Sequence, residues 1–220
     1  MWSAQARGEV VKIIEVAQGS PDWYLARLGI PTASEFSRLV TSKGAPSSSL
    51  EGYARELAAE LFAGKTLDAF DGNVWMNRGK DMEIDAKDFY AFAHDATLTP
   101  VGFVTTDDGL AGCSPDALVG DDGLLEVKCL KAERHVEAVH YHGKHGKAPS
   151  GYVQQTQGQL LITGRKWVDL MFYSPELPPL VIRQTPDPEM HAALRAGIAA
   201  VIAERDSQLA SLRRHQQELP

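Results

Sequence analysis

Asp116, Glu126 and Lys128 are the residues of this 220-residue chain whose types and spacing point most directly to chemistry. Residues 126 and 128 lie two apart within the apolar run Leu124-Leu125-Glu126-Val127-Lys128, so on a strand both side chains leave the same face. If 121–123 forms a three-residue loop with Gly123 left-handed, Gly120 faces Leu124, Leu118 faces Glu126, and Asp116 falls opposite Lys128. The three charged groups then project from one face of one hairpin. A two-residue turn would shift the register and break the grouping. A surface ion-pair cluster of this kind is worth little. Leu124, Leu125 and Val127, however, make the strand apolar, and charge placed there is costly unless it holds a metal or serves chemistry. Carboxylate oxygens suit Mg²⁺ or Mn²⁺, hard cations that keep several waters and accept phosphate oxygens. A lysine beside them can orient a water, or deprotonate it where nearby positive charge depresses its pKa. The set fits metal-assisted hydrolysis of a phosphodiester.

The elements that must position these groups can be read from periodicity and punctuation. Ser20-Pro21-Asp22 starts a helix that ends near Gly29, and Thr32-Ala-Ser-Glu35 has the form of a capping box opening a second. A third helix runs from Ser48 or Ser49 to about Phe62. A fourth covers about 74–93, with Met82, Ala86, Phe89 and Ala93 on one face. The middle of the chain turns to short strands at 97–105, 110–113, 117–120 and 124–129, separated by Asp-Asp-Gly turns. Helical patterns return at 131–142 and 150–162, strands at 168–173 and 180–184, and a last helix at about 187–214. Thr41–Ser49 reads as a flexible loop. Trp23, Trp75, Phe89 and Phe92 read as core. The expected architecture is one α/β domain over 1–220, a central mixed β-sheet flanked by helices.

Composition bounds the function. The two cysteines, Cys113 and Cys129, are too few for a disulfide scaffold or a four-cysteine cluster in one chain. No apolar run reaches the roughly 18–20 residues of a membrane span, and Met1-Trp-Ser-Ala-Gln5 does not open a secretory signal. A cytoplasmic protein with no membrane partner is expected. The chain carries 22 basic and 29 acidic residues, a net charge of −7. The segment 128–147 is nevertheless net +3 and holds four of the seven histidines, at 135, 140, 142 and 145. It reads either as a solvated loop or as a DNA-facing surface. The spacing His140-Tyr-His142-Gly-Lys-His145 matches no common zinc pattern.

Pro115-Asp116 followed by Glu126-Val-Lys128 resembles the PD-(D/E)xK nuclease signature. Around it stand Gly19-Ser-Pro-Asp-Trp23, Arg27-Leu-Gly-Ile-Pro-Thr-Ala-Ser-Glu35, Gly79-Lys-Asp-Met-Glu83, Cys113-Ser-Pro-Asp116, Leu125-Glu-Val-Lys-Cys129 and Gln154-Gln-Thr-Gln157. Their order and approximate spacing resemble the phage lambda-type alkaline exonuclease family of viral recombinases, from about residue 15 to 185. The resemblance implies a restriction-endonuclease-like core. It implies Asp116, Glu126 and the carbonyl of Val127 as ligands of Mg²⁺, with Mn²⁺ able to substitute, and Lys128 as the residue that activates water. It makes Glu83 a ligand or orienter for a second metal. It places Gln157 against metal-bound water or a DNA phosphate, and Arg27 and Ser34 in a pocket for the 5′-phosphate. Read without the resemblance, Glu83 is an exposed helical acid, Gln157 a surface glutamine and Arg27 a cation at a helix C-terminus. For Ser34, a first-turn position also fits anion binding.

The implied activity is Mg²⁺-dependent 5′-to-3′ digestion of one strand of double-stranded DNA to mononucleotides. The family setting implies a homotrimeric ring on DNA ends, a single-strand annealing protein as partner, and a phage or prophage protein acting in a bacterial cytoplasm. Two alternatives stay open: an endonuclease of restriction or repair type on the same core, and a DNA-end-binding protein without catalysis.

Overall fold

The computed structural model describes residues 11–67 and 74–219, and for residues 74–81 the course of the backbone alone. In chain order the elements are β1 (Lys12–Ile14), α1 (Pro21–Arg27), a 3-10 helix (Ala33–Arg38), α2 (Leu50–Ala63), α3 (Val74–Ala93), β2 (Leu98–Thr99), β3 (Phe103–Thr105), β4 (Gly112–Cys113), β5 (Ala117–Val119) and β6 (Gly123–Cys129). After these come α4 (Ala132–His145), a short 3-10 turn (Ser150–Tyr152), α5 (Val153–Thr163), β7 (Trp167–Tyr173), β8 (Leu180–Gln184) and α6 (Pro188–Glu218).

β2-β5-β6-β7-β8 form a five-stranded sheet, and β1-β3-β4 a three-stranded one. In the larger sheet β6 and β7 run parallel, and the remaining pairs are antiparallel. The parallel pair needs a long crossover, supplied by α4 and α5. This is the mixed sheet flanked by helices that the sequence led us to expect. α5 covers the face bearing Leu124, with Leu160 and Val168. α3 covers the other with Ala86 and Tyr90, against Leu125, Val127 and Met171. A further core joins the first 3-10 helix, α2 and α6 through Phe36, Leu39, Leu57, Leu194, Ile198 and Val201. Each such side chain contributes about 1.5–3 kcal/mol by leaving water.

Helix starts follow local chemistry. The Ser20 hydroxyl accepts from Trp23 N at 3.2 Å, and Asp187 accepts from Glu189 N and Met190 N. Thr32–Glu35 departs from expectation. The segment is a 3-10 helix whose N-cap Thr32 makes no side-chain cap bond; its hydroxyl serves Arg27 and Ser34 instead. The strand expected at 97–105 is two strands in two sheets. The 41–49 segment is an ordered turn closed by a Val40–Pro46 bridge. Phe89 and Phe92 are exposed rather than core, because the buried face of α3 runs through Ala86 and Tyr90. Trp23 is half-buried beside Arg27, and the side chain of Trp75 lies outside the described residues. Among the described residues no helix is long and apolar enough to cross a membrane.

The β5–β6 hairpin differs from the expected register in an instructive way. The loop is 120–122 rather than 121–123. Gly120 takes the positive φ of +51°, and Gly123 pairs with Val119 inside the ladder. Continuing that ladder places Asp116 opposite Glu126, not Lys128. The three charged groups keep a common face, because the displacement moves the pairing by two positions and preserves parity.

Candidate active site

β6 lies at the centre of the larger sheet, and its alternation sends Leu124, Glu126 and Lys128 towards α5. Glu126 is only 3% exposed, yet both its oxygens are met. Oε1 accepts from Gln155 Nε2 at 2.6 Å and pairs with Lys128 Nζ at 2.7 Å. Oε2 accepts from Gln159 Nε2 at 2.5 Å. Gln155 and Gln159 are one helical turn apart, so α5 presents two carboxamides side by side. Burial alone would lower the pKa of Lys128, but Glu126 outweighs it and raises it above the ordinary lysine value. Lys128 is held as an ion-pair partner of Glu126.

Asp116 just precedes β5, and its N–H donates to Leu125 O at 3.1 Å. Its Oδ2 accepts from Val127 N at 2.6 Å. Burial first, then the negative charge of Glu126 and of Glu83, push this carboxyl well above the usual carboxylate range, against the pull of the Val127 N–H and Lys87. Glu83 reaches this neighbourhood from α3, with Oε1 held by Lys87 Nζ at 2.6 Å. Among the described residues no three His, Cys, Asp or Glu side chains close on one point as a complete metal cage. The donors nevertheless fit a hard divalent cation. Three carboxylates face two ammonium groups, all the donors are oxygen, and Asp116 is destabilised by like charge that a cation would relieve. An open cleft of about 580 Å³ runs past Glu83, Lys87 and Asp116 to Gln18 and β1.

On the other side of Gln18 lies a cavity of about 130 Å³ lined by Trp23, Arg27, Thr32, Ser34, Ser114, Gln155 and Gln159 among others. The Arg27 guanidinium stacks on Trp23 at 4.0 Å. It donates to Ser114 Oγ at 3.4 Å and to Thr32 Oγ1 at 3.3 Å. Trp23 Nε1 also donates to Ser114 Oγ, at 2.9 Å, and the hydroxyls of Thr32 and Ser34 meet at 3.3 Å. Arg27 makes no ion pair among the described residues, and burial lowers its pKa. A half-buried guanidinium beside hydroxyls, with no ion pair among the described residues, has the chemistry to accept an anion. Its wall is shared: Gln155 and Gln159 line this cavity and hold Glu126.

The structure thus gathers Asp116, Glu126, Lys128 and Glu83 at one locus, with Arg27 and Ser34 beside it. Gln157 is not among them. It turns to the opposite side of α5, where Nε2 donates to Thr185 O at 3.0 Å and Oε1 accepts from Asp187 N at 2.8 Å. It ties α5 to the start of α6. The helical period puts 155 and 159 on the sheet-facing side and excludes 157. Val127 stands with its side chain in the core under α3, and its N–H at Asp116. Of the 128–147 segment, Lys128 and Cys129 end β6 and Ala132–His145 form α4, in line with the helical pattern at 131–142; His135 is a buried core residue with Nε2 at 2.9 Å from Pro178 O. Sequence reading missed Trp23, Thr32, Ser114, Gln155, Gln159 and Lys87. For Gln155 and Gln159 the sequence offers no distinguishing signal, because Gln154 and Gln157 stand in the same helix.

A mixed sheet with helices on both faces, carrying an acid and a lysine on its central strand and a second acid just before the adjacent one, is a restriction-endonuclease-like core. The chain belongs to the YqaJ-like viral recombinase family, whose domain matches residues 22–166. It is similar to the alkaline exonuclease LHK-Exo from Laribacter hongkongensis, solved alone and in complex with dAMP. Identity is 30%, covering 91% of this chain and 100% of that one, with a TM-score of 0.79 for each structure. A phage-related exonuclease from Haemophilus somnus 129PT shares the fold at 16% identity and a TM-score of 0.64, over 83% of this chain and 96% of that one. No curated protein sequence matches the chain significantly. The resemblance to the lambda-type alkaline exonucleases read from the motifs is borne out.

Proposed function

We propose that the protein is a Mg²⁺-dependent exonuclease that removes mononucleotides from the 5′ strand of a DNA duplex end. One observation carries this reading: Gln155 and Gln159, which line the Arg27 cavity, also hold the Glu126 carboxylate. A terminal phosphate seated at Arg27 would bring the end of the duplex beside this wall, which favours cutting close to the end.

In this account Asp116, Glu126 and the Val127 carbonyl would hold one divalent cation, and Glu83 would hold or orient a second. The Val127 carbonyl leaves β6 on the same edge as the N–H that Asp116 accepts. Bound there, a cation would supply Lewis-acid polarisation of the scissile phosphate and ease formation of hydroxide near neutral pH. Gln155 and Gln159 fix the Glu126 carboxylate so that its orientation is set before substrate arrives. Lys128 is an ammonium that orients the attacking water and offsets charge building on the phosphate. Arg27, with the hydroxyls of Ser34, Ser114 and Thr32, grips the terminal phosphate. Membership of a viral recombinase family supports a role in recombination. Resection from the 5′ end would leave a 3′ single strand for an annealing protein, and a trimeric ring would keep the enzyme on its substrate.

The test is digestion of linear duplexes labelled at the 5′ end, with and without Mg²⁺, alongside closed circular DNA. The account predicts mononucleotide release from the linear substrate only with the divalent cation, and an intact circle. Cutting of the circle would show an endonuclease. Binding without hydrolysis under all conditions would show an end-binding protein.

A further inference from the structure

α6 lies beyond residues 22–166, the segment that matches the family domain, and none of the groups assigned to the site sits on it. One of its side chains nevertheless reaches the site's frame. Arg205, 11% exposed, donates from Nη1 to the carbonyl of Gly29 at 2.7 Å, across 176 residues of sequence. We propose that Arg205 is a positioning residue for end recognition, making α6 a working part of the terminal-phosphate pocket. The inference rests on the reading of the Arg27 cavity as the seat of that phosphate.

Gly29 is two residues past Arg27, in the turn that ends α1. Its two backbone polar groups are held from opposite sides by other helices. Its carbonyl is taken by Arg205 of α6, and its N–H donates to Glu60 Oε2 of α2 at 3.3 Å. Gly29 is left-handed at φ +66°, and a Cβ there would strike Leu61 Cγ at 2.2 Å, so the turn is packed as well as bonded. Asp206 sets the aim of the clamp, its Oδ1 lying 2.9 Å from Arg205 Nε and 2.8 Å from Nη2. α6 also braces the far end of the pocket frame. A Cβ at Gly197 would meet Leu39 Cβ at 3.0 Å, just after the 3-10 helix that carries Ser34. Arg27 has no ion pair among the described residues to fix it. Its guanidinium is placed by Trp23, Ser114, Thr32 and its own backbone. A backbone shift of about 1 Å at such a group is enough to spoil a bound geometry.

The test uses a hairpin duplex with one free end bearing either a 5′-phosphate or a 5′-hydroxyl. Affinity is read by fluorescence anisotropy without divalent cation, and KM and kcat are read with Mg²⁺. Wild type binds the phosphorylated end more tightly. Arg205→Met weakens that binding about tenfold, the scale of one charge-assisted hydrogen bond. It leaves the hydroxyl end unchanged and raises KM more than it lowers kcat. Arg205→Lys restores part of the loss. In an Arg27→Ala background the discrimination is already gone, and Arg205→Met adds nothing to it. The proposal is overturned if Arg205→Met lowers thermal stability while the phosphate-to-hydroxyl ratio stays at the wild-type value. It is also overturned if both ends weaken alike, or if the full effect persists on top of Arg27→Ala. Should the Met variant not fold, Arg205→Lys and Glu60→Gln carry the same comparison. Equal binding of the two ends by wild type refutes the pocket assignment itself, and is seen before any substitution is made.

Discussion

Two acids on either side of β6, Asp169 on β7 and Asp116 just before β5, have opposite surroundings. Asp169 on β7 is 2% exposed and fully answered. Arg183 donates from Nε and Nη2 at 2.8 Å each, Tyr90 donates its hydroxyl at 2.6 Å, and the guanidinium stacks on Trp167 at 3.7 Å. Asp116, before β5, accepts one backbone N–H and faces two further carboxylates that raise its pKa. Burial of an acid therefore does not mark a functional site. What separates the two is compensation. Asp169 has a whole cation to itself and is a structural tie between β7 and β8. Asp116 sits in like charge that Lys87 and the Val127 N–H offset only in part, an arrangement that a bound divalent cation would relieve.

The sharpest way to break this comparison is to neutralise each acid in turn. Asp116→Ala abolishes hydrolysis to within assay limits, a loss of about a thousandfold or more as expected for a metal ligand. In cation-free buffer Asp116→Asn raises the unfolding midpoint, because it removes a repelled carboxylate. Asp169→Asn does the reverse. It costs about 3–5 kcal/mol of stability, the usual result of stripping one partner from a buried pair, while the folded fraction keeps its specific activity. Denaturation curves and turnover on the same preparations read both. Equal stability losses, or equal activity losses, would erase the distinction.

A smaller effect is expected at the anion pocket. Arg27→Ala lowers kcat/KM on 5′-phosphorylated ends by about ten- to a hundredfold, the range of a charge-assisted contact. Hydroxyl ends change little. Competition between the two ends measures it, and an unchanged preference would remove Arg27 from substrate recognition.

The smallest effects compare two glutamines of α5. Gln159→Leu frees one oxygen of Glu126 and lowers turnover by about tenfold through a loosened ligand. Gln157→Leu lies on the opposite face. It costs about 1 kcal/mol of stability through its bonds to Thr185 and Asp187 and leaves turnover intact. Turnover that followed Gln157 instead would contradict the assignment of faces.

These glutamines show where sequence reasoning runs out. The Glu126–Lys128 pair was legible because a strand has a period of two and the run around it is apolar. The common face of Asp116 survived a wrong register because parity did. The register itself was not legible, since Gly120-Asp-Asp-Gly123 offers a glycine at each end and only the fold shows that Gly120 takes the left-handed position. In Gln154-Gln-Thr-Gln-Gly-Gln159 four of the six residues are glutamine. Which members face the sheet is decided by how α5 seats Leu160 against Leu124 and Val168, a tertiary fact. The Arg27 pocket is assembled from α1, the Thr32–Ser34 segment, Ser114 and α5. Arg27 and Ser34 stood out through the resemblance, whereas Trp23, Thr32 and Ser114 acquire meaning only once those segments meet. The cap expected of Thr32 fails because its hydroxyl meets Arg27 and Ser34 instead.

The central claim is that Asp116 and Glu126 share a divalent cation. Crystals soaked in Mn²⁺ test it most directly, through an anomalous difference map. The account predicts a strong peak within coordination distance of both carboxylates, lost in crystals of the Asp116→Ala variant. A map with no peak there, or with Mn²⁺ bound away from both acids, would contradict it.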